Sequence, residues 1–526
     1  MTLSTIRIIG LLTLECVCSS VSSAQRSVTL LEALRSTLSN HPGISIQEQQ
    51  VVADRGLELQ AASIFYPVWV TSLTQQRSYI PLTALDQLTY LADGYPRASA
   101  QVLTYTDLNS SYTKLEPNGI QVILSTDANR SEDNLLDNFG ANRSISQFRI
   151  VLPLLAGRGR DVVEAADRAA AVEVNAALLD LNQTISQLMV NTAQSYWNLV
   201  AAKKFLKVAG ESVERGAELV EDTRALIEAD QEPRYDIHDA SANLADRKSN
   251  QIAAEQAVID ARWQLALNMG LKPQEMTELP DAADDFPEEP ELNTVEISNQ
   301  VEQLCINAAL QNRADVLAAR KRQDSARILL RAAKDTSRPR LDLSIGAGYE
   351  GLREGTWPDK YLTSFLLGGR GPDLVGTLTF TNANKVLARG KIMQAQAQVS
   401  SSQLQTLDVE RSVSGSVIDA LFAIHNSLLR LRNAAESVIQ FRQALAGEQK
   451  KLRLGAGSII SALTVEDRLT TALTEFVSAQ LAYPAALAQL RFAMGAIVAP
   501  DKSVHTIDER VFRELPQQLT EPKDAH

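Results

Sequence analysis

Cysteine is almost missing from this chain of 526 residues: Cys16, Cys18 and Cys305 are all it has. The first two lie in MTLSTIRIIGLLTLECVCSSVSSAQ, where Arg7 precedes an apolar run and Ser22-x-Ala24 supplies a small-residue cleavage site. Residues 1–24 therefore read as a secretory signal. Its removal leaves Cys305 alone, which excludes an internal disulfide in the mature chain; on a helix this residue serves as a small apolar side chain. Long basic runs are also missing and the formal net charge is −12, which argues against a nucleic-acid partner bound through phosphate neutralisation. After the signal, no apolar run reaches the roughly 18 residues of a membrane-spanning helix. The mature chain is then either soluble outside the cytoplasm or crosses a membrane as a β-barrel.

Catalytic groupings are lacking too. His41, His238, His425, His505 and His526 are scattered without metal-ligand spacing, and GxxxxGK[ST], HExxH and GxSxG do not occur. No enzyme activity, cofactor or metal is expected. The neighbours His238 and Asp239 read as part of a surface helix, and Gly157-Arg158-Gly159-Arg160 reads as a loop leading into a helix rather than an RNA-binding segment.

What the chain does have is an internal repeat. Glu211-Ser212-Val213 returns as Glu436-Ser437-Val438, and the offset of 225 keeps working on both sides: Leu206 with Leu431, Leu244 with Leu469, Met269-Gly270 with Met494-Gly495. Upstream an offset of 272 pairs Leu38-x-Asn40 with Leu310-x-Asn312 and Pro67 with Pro339. The chain is a tandem duplication, residues 25–270 and 300–498. Each half has a helix of about 25 residues, a Pro-marked exit, a β-rich zone and a long helical stretch.

The long stretches are 161–228 and 391–454. Leu178, Leu181, Ile185, Leu188 and Thr192 recur at three- and four-residue steps, a coiled-coil-like stripe that needs packing partners. Breakers follow, ADQEPRYD at 229–236 and LGAGS within 454–461, and shorter helices are predicted over 236–270 and 461–495. A shorter helix stacked on the helix before each β zone would match one long helix in length. Strands are expected within about 67–152 and 339–382, where alternation marks 67–74, 144–152, 339–349 and 374–380. One chain offers too few to close a barrel, so several chains would have to contribute. Glu116-Pro-Asn-Gly119 reads as a hairpin turn inside an extra piece, 105–126, that either joins a barrel or forms an outside loop. Between the halves, 271–299 is acidic and rich in proline, with Pro273, Pro280, Pro287 and Pro290, and the tail 499–526 is similar.

The order of these features resembles the TolC-type outer-membrane efflux and secretion proteins, over about Thr29 to Val498. PLLAGRGR, from Pro153 through Gly157 to Arg160, resembles the family's strand-to-helix junction; Asn382 and Ala388-Arg389-Gly390 resemble its counterpart in the second repeat. Pro67 and Pro339 stand at the helix-to-strand exits. YDIHDA, 235–240, resembles the family's Asp-[Val/Ile]-x-x-Ala segment after the tip turn. The resemblance implies a mainly α fold with a transmembrane β-barrel portion. A homotrimer would share a twelve-stranded barrel in outer-membrane lipid, four strands per chain, with a long coiled-coil α-barrel in the periplasm. It implies a passive exit duct of a tripartite efflux pump or type I secretion system. Its partners would be a periplasmic adaptor and an inner-membrane transporter of the RND or ABC type.

The tip, where adaptor docking and closure are expected, takes in Asp230, Glu232, Pro233, Arg234, Asp236, Gly455, Gly457, Ser461 and Glu466. Gly455 matches the family's tip glycine, while its mate is Asp230; Asp236 matches the helix-starting Asp, while its mate is Ser461. Asp230, Glu232, Asp236 and Glu466 are candidates for an acidic ring that would favour cations, or else are solvated turn residues. The alternative of a different class is a periplasmic structural or adaptor-like coiled-coil protein without a pore. The β zones discriminate, because an adaptor carries one helical hairpin, whereas here two hairpins each follow a strand pair.

Overall fold

The computed structural model describes residues 27–516 except 96, 136, 230–232, 278–279, 289–297, 356–358, 368–370, 455 and 499–507; the signal segment therefore lies outside the described residues. In chain order the elements are β1 (Ser27–Val28), α1 (Leu30–Asn40), α2 (Pro42–Ala62), β2 (Val68–Pro81), α3 (Ala84–Ala92), β3 (Ala100–Leu115), β4 (Gln121–Asp133) and β5 (Asp137–Pro153). Next come α4 (Arg160–Val163), α5 (Ala165–Glu228), α6 (Asp236–Asn268) and β6 (Asp281–Ala282). The second half holds α7 (Asn299–Asn312), α8 (Ala314–Asp335), β7 (Arg340–Glu354), α9 (Asp359–Leu367), β8 (Gly371–Thr381), α10 (Lys385–Arg453) and α11 (Ile459–Ala493).

The helix expected before each β zone is in both halves a pair. Pro42 lacks the N–H that a continuous helix would need, and His41 before it is extended at φ −70°, ψ 121°. At the equivalent place Arg313 is extended at φ −73°, ψ 125° with no proline beside it. There the break is held by side-chain contacts: the guanidinium pairs with Asp315 at 3.0 Å and lies over the Phe492 ring at 5.0 Å. The two sequence offsets meet at these breaks. Gly270 (φ 71°) packs so closely that a Cβ would lie 2.6 Å from the His41 Cα, and its mate Gly495 (φ 67°) repeats this at 2.8 Å from the Arg313 Cα. Both glycines end a helix in the left-handed region and touch the break of another, so the duplication is structural.

The chain divides into two units, Met1–His41 with Asn191–Glu289 and Leu429–Ala485, and Pro42–Val190 with Pro290–Leu428 and Ala486–His526. In the first unit α5, α10 and α11 pack through Val208, Val438, Leu445, Leu469, Leu473 and Val477, which supplies the partners that helices of this length require. The acidic segment between the repeats is anchored here. β6 pairs in parallel with β1, and the buried Tyr196 hydroxyl shares its one proton between the Val28 carbonyl (3.1 Å) and the Asp284 carboxylate (3.0 Å). Burial raises the Tyr196 phenol well above its ordinary range and keeps it a donor.

The second unit contains an antiparallel sheet in the order β2-β3-β4-β5-β7-β8. The four strands implied by the resemblance are present as β2, β5, β7 and β8, and the sheet holds two more. The piece around Glu116-Pro-Asn-Gly119 is β3 and β4, bonded between β2 and β5 rather than looped outside them. Helix α9 lies against the sheet, with the Tyr361 hydroxyl donating to the Ala128 carbonyl at 2.9 Å. No helix among the described residues is long and apolar enough to cross a membrane.

Candidate functional site: a two-faced wall and a buried ion cluster

Side chains alternate across each strand, and the register carries the alternation across the whole sheet. One row of neighbours runs Trp69, Tyr112, Leu124, Phe148, Ala347, Leu374, from β2 to β8. The adjacent row on the other face runs Val70, Ser111, Ser125, Gln147, Gly348, Asp373. Across Gly348, the Gln147 amide reaches the Asp373 carboxylate at 3.1 Å. The polar face also carries Asp107, Asn109, Asp127 and Asn129, and both asparagine amides donate to Asp127, at 3.2 and 3.3 Å. The apolar face leaves Trp69 70% and Leu374 83% exposed to solvent in the single chain. Strands β2 and β8 are the open edges of the sheet. The sheet thus has one largely polar face, a band of exposed apolar side chains on the other, and two free edges.

The strand-to-helix junctions gather at one end of this wall. Beyond Pro153, Leu154 N–H donates to the Leu341 carbonyl (2.7 Å) and Ala156 N–H to that of Pro339 (3.3 Å), so the exit from β5 and the approach to β7 share hydrogen bonds. Gly157 N–H donates to the buried Asp335 carboxylate at 2.7 Å. Pro67 lies just before β2, after a helical turn closed by Tyr66 N–H on the Ser63 carbonyl. Asn382 follows β8, but the side chain that caps α10 is Asn384, which accepts from Leu387 N–H at 3.1 Å. Arg389 and Gly390 lie exposed in the opening turns of α10.

Of the tip residues, Asp230, Glu232 and Gly455 lie outside the described residues. Pro233 and Arg234 are exposed, and Asp236 is half-buried at the start of α6, its N–H donating to the Pro233 carbonyl at 3.2 Å. Gly457 and the exposed Ser461 flank Ile459, which packs with Leu219, Leu226, Leu452 and Ala462. Glu466, expected beside them as a candidate ring carboxylate, is instead 2% exposed. Arg215 meets it at 3.0 Å and Arg247 pairs with its other oxygen. Ser212 and Thr470 donate hydroxyls to it at 3.3 and 3.0 Å. Arg247, itself buried, also holds Asp467 at 2.9 Å. The cluster ties α5, α6 and α11 together, and Glu211 also lies 3.7 Å from Arg215.

Arg215 and Arg247 are the site residues that sequence reasoning missed. A signal was there. At offset 225 the mate of Glu466 is Ser241, that of Arg247 is Ala472 and that of Arg215 is Gln440, so all three charges occur in one repeat only. Charges that a duplication does not keep in register mark places where the halves meet different surroundings.

Residues 305–496 match the outer membrane efflux protein family. No curated protein matches the chain in sequence. Among solved structures the chain is similar to the Campylobacter jejuni CmeC outer membrane channel, at 15% identity and a TM-score of 0.64, over 90% of this chain and 87% of that one. It is similar to VceC, an outer membrane protein of Vibrio cholerae, at 15% identity and a TM-score of 0.63, over 89% and 96%. It is also similar to the open state of the Neisseria gonorrhoeae MtrE outer membrane channel, at 14% and 0.59, over 89% and 88%. The second repeat thus matches the outer membrane efflux protein family model, and the chain as a whole is similar in fold to these solved outer-membrane channels.

Proposed function

We propose, from that family match and that fold, that three copies of the chain form a passive exit duct in the cell outer membrane. The observation that carries the reading is the two-faced sheet. Its strands are long enough to cross a bilayer, which takes about 9–11 tilted residues, and its apolar row faces lipid while its polar row faces water. The free edges β2 and β8 join between neighbouring copies, which removes every unpaired backbone group from the hydrocarbon. The long helices α5 and α10, with α6 and α11, extend the conduit into the periplasm. At the tip, around Pro233 to Asp236 and Gly457 to Ser461, a periplasmic adaptor docks and links the duct to an inner-membrane transporter of the RND or ABC type. That transporter supplies the energy, as expected for efflux or type I secretion.

The test is single-channel conductance of the detergent-extracted full-length protein in a planar lipid bilayer. Small, long-lived, cation-preferring steps are expected. Failure to insert, with the protein recovered in the soluble periplasmic fraction, would make the sheet a soluble cap and the chain a structural coiled-coil protein.

A further inference from the structure

We propose that the β3–β4 hairpin is part of the membrane-spanning wall, so that three copies close a ring of eighteen strands rather than twelve. The inference rests on the duct reading above and concerns the width of its pore. Length is the first argument. Strand β3 has 16 residues and β4 has 13, each more than the roughly 9–11 needed to cross the hydrocarbon.

Continuity is the second. β2 bonds to β3 from Val68↔Thr113 to Pro81↔Ala100, and β5 bonds to β4 from Gln121↔Val151 onward. β2 and β5 share no ladder, because two strands stand between them. At about 4.8 Å per strand they lie roughly 14 Å apart. A hairpin lying outside the wall would leave that gap open to lipid.

The hairpin also keeps the wall's alternation, with Tyr112 and Leu124 in the apolar row and Ser111 and Ser125 in the polar one. Finally, both of its ends are fastened. At the base Glu116 N–H donates to the Ile120 carbonyl (2.7 Å), Gly119 N–H to that of Glu116 (2.8 Å) and Gly159 N–H to that of Asn118 (3.0 Å). Gly119 has φ 94°, and a Cβ there would collide with the Gly157 carbonyl, so the turn fits against the β5-to-α4 junction only as glycine. At the far end the Asn134 side chain accepts from Val102 N–H (2.6 Å) and donates to the Ala100 carbonyl (3.2 Å).

Barrel diameter grows roughly linearly with strand number, so eighteen strands make a pore about 1.5 times as wide as twelve. The membrane segment of this duct would then pass bulkier cargo than a twelve-stranded ring of the same fold, through a lining that includes Asp107, Asn109, Asp127 and Asn129.

Electron cryomicroscopy of the purified full-length protein in lipid nanodiscs counts the strands directly, and eighteen are expected. A twelve-stranded ring with β3 and β4 outside it would overturn the inference and leave the duct intact. A protein without any ring would overturn both. Two variants that each add one cysteine give an independent reading, with the buried Cys305 silent as background. Ser125→Cys on the polar face should lose its free thiol to a charged, membrane-impermeant reagent, whereas its neighbour Leu124→Cys should keep it. Equal labelling of the two would place the hairpin in water and overturn the inference, since Leu124 is 48% exposed in the single chain.

Discussion

Glu466 is held by Arg215 and Arg247, and neither arginine has a second buried carboxylate to turn to: Glu211, 3.7 Å from Arg215, and Asp467, beside Arg247, have their side chains 40% and 58% exposed. Removing the shared carboxylate leaves guanidinium charge buried without compensation. Glu466→Ala should therefore cost about 3–5 kcal/mol, the usual penalty for breaking a buried pair from one side. Asp467→Ala should cost about 0–1 kcal/mol, because exposed pairs are solvent-screened. Denaturant midpoints followed by helical circular dichroism separate the two, and equal midpoints would contradict the burial of Glu466. The composition of this cluster was not legible beforehand. A glutamate eight residues past a tip turn looks like a surface charge until the third helix brings Arg247 to it. Asp236 is the contrasting case, half-buried at the start of α6 with Pro233 and Arg234 exposed before it. Asp236→Lys should weaken adaptor docking, or raise the resting leak, while the trimer still assembles. Export and leak both unchanged would remove Asp236 from the docking surface.

Among the elements, the helix breaks at His41 and Arg313 depend on the glycines that touch them. Gly270→Ala and Gly495→Ala each force a Cβ into the partner backbone at positive φ, where strain alone costs on the order of 1–3 kcal/mol. Gly210 in α5 is the control: a Cβ there meets nothing within 4 Å, so Gly210→Ala should be neutral or stabilise by about 0.5–1 kcal/mol. Thermal midpoints of the three variants decide the matter; similar losses at positions 270 and 495 and none at 210 are expected. The pairing of these glycines was visible as Met269-Gly270 on Met494-Gly495, though not what it was for. Pro42 is a local signal for the first break, although the sequence pattern reads as one helix of about 25 residues there. The one at 313 has no proline beside it, and of its two holding contacts Asp315 is local but Phe492 is remote in sequence. The β3–β4 hairpin was ambiguous for a related reason. Alternating flanks around Glu-Pro-Asn-Gly describe any two-stranded ribbon, and only its ladders to β2 and β5 decide whether the ribbon joins the wall.

For the molecule as a whole, the decisive matter is which face of the sheet meets lipid. The rows Trp69 to Leu374 and Val70 to Asp373 differ by one residue on every strand, so a single step along β8 exchanges one environment for the other. Leu374 lies in the apolar row and Val375 on the polar face, both near the middle of the strand. A lysine on the lipid face near the bilayer midplane costs about 2–4 kcal/mol, whereas one on the lumen face changes selectivity instead. Leu374→Lys should therefore lower the unfolding midpoint and the yield of assembled oligomer. Val375→Lys should assemble normally and shift the reversal potential in a salt gradient toward weaker cation preference. The opposite result, stability lost at 375 and selectivity changed at 374, would turn the sheet inside out. If neither property moved, the sheet would not be in a membrane. In the proposed trimer the contrast is sharp, since each substitution would act three times around one pore.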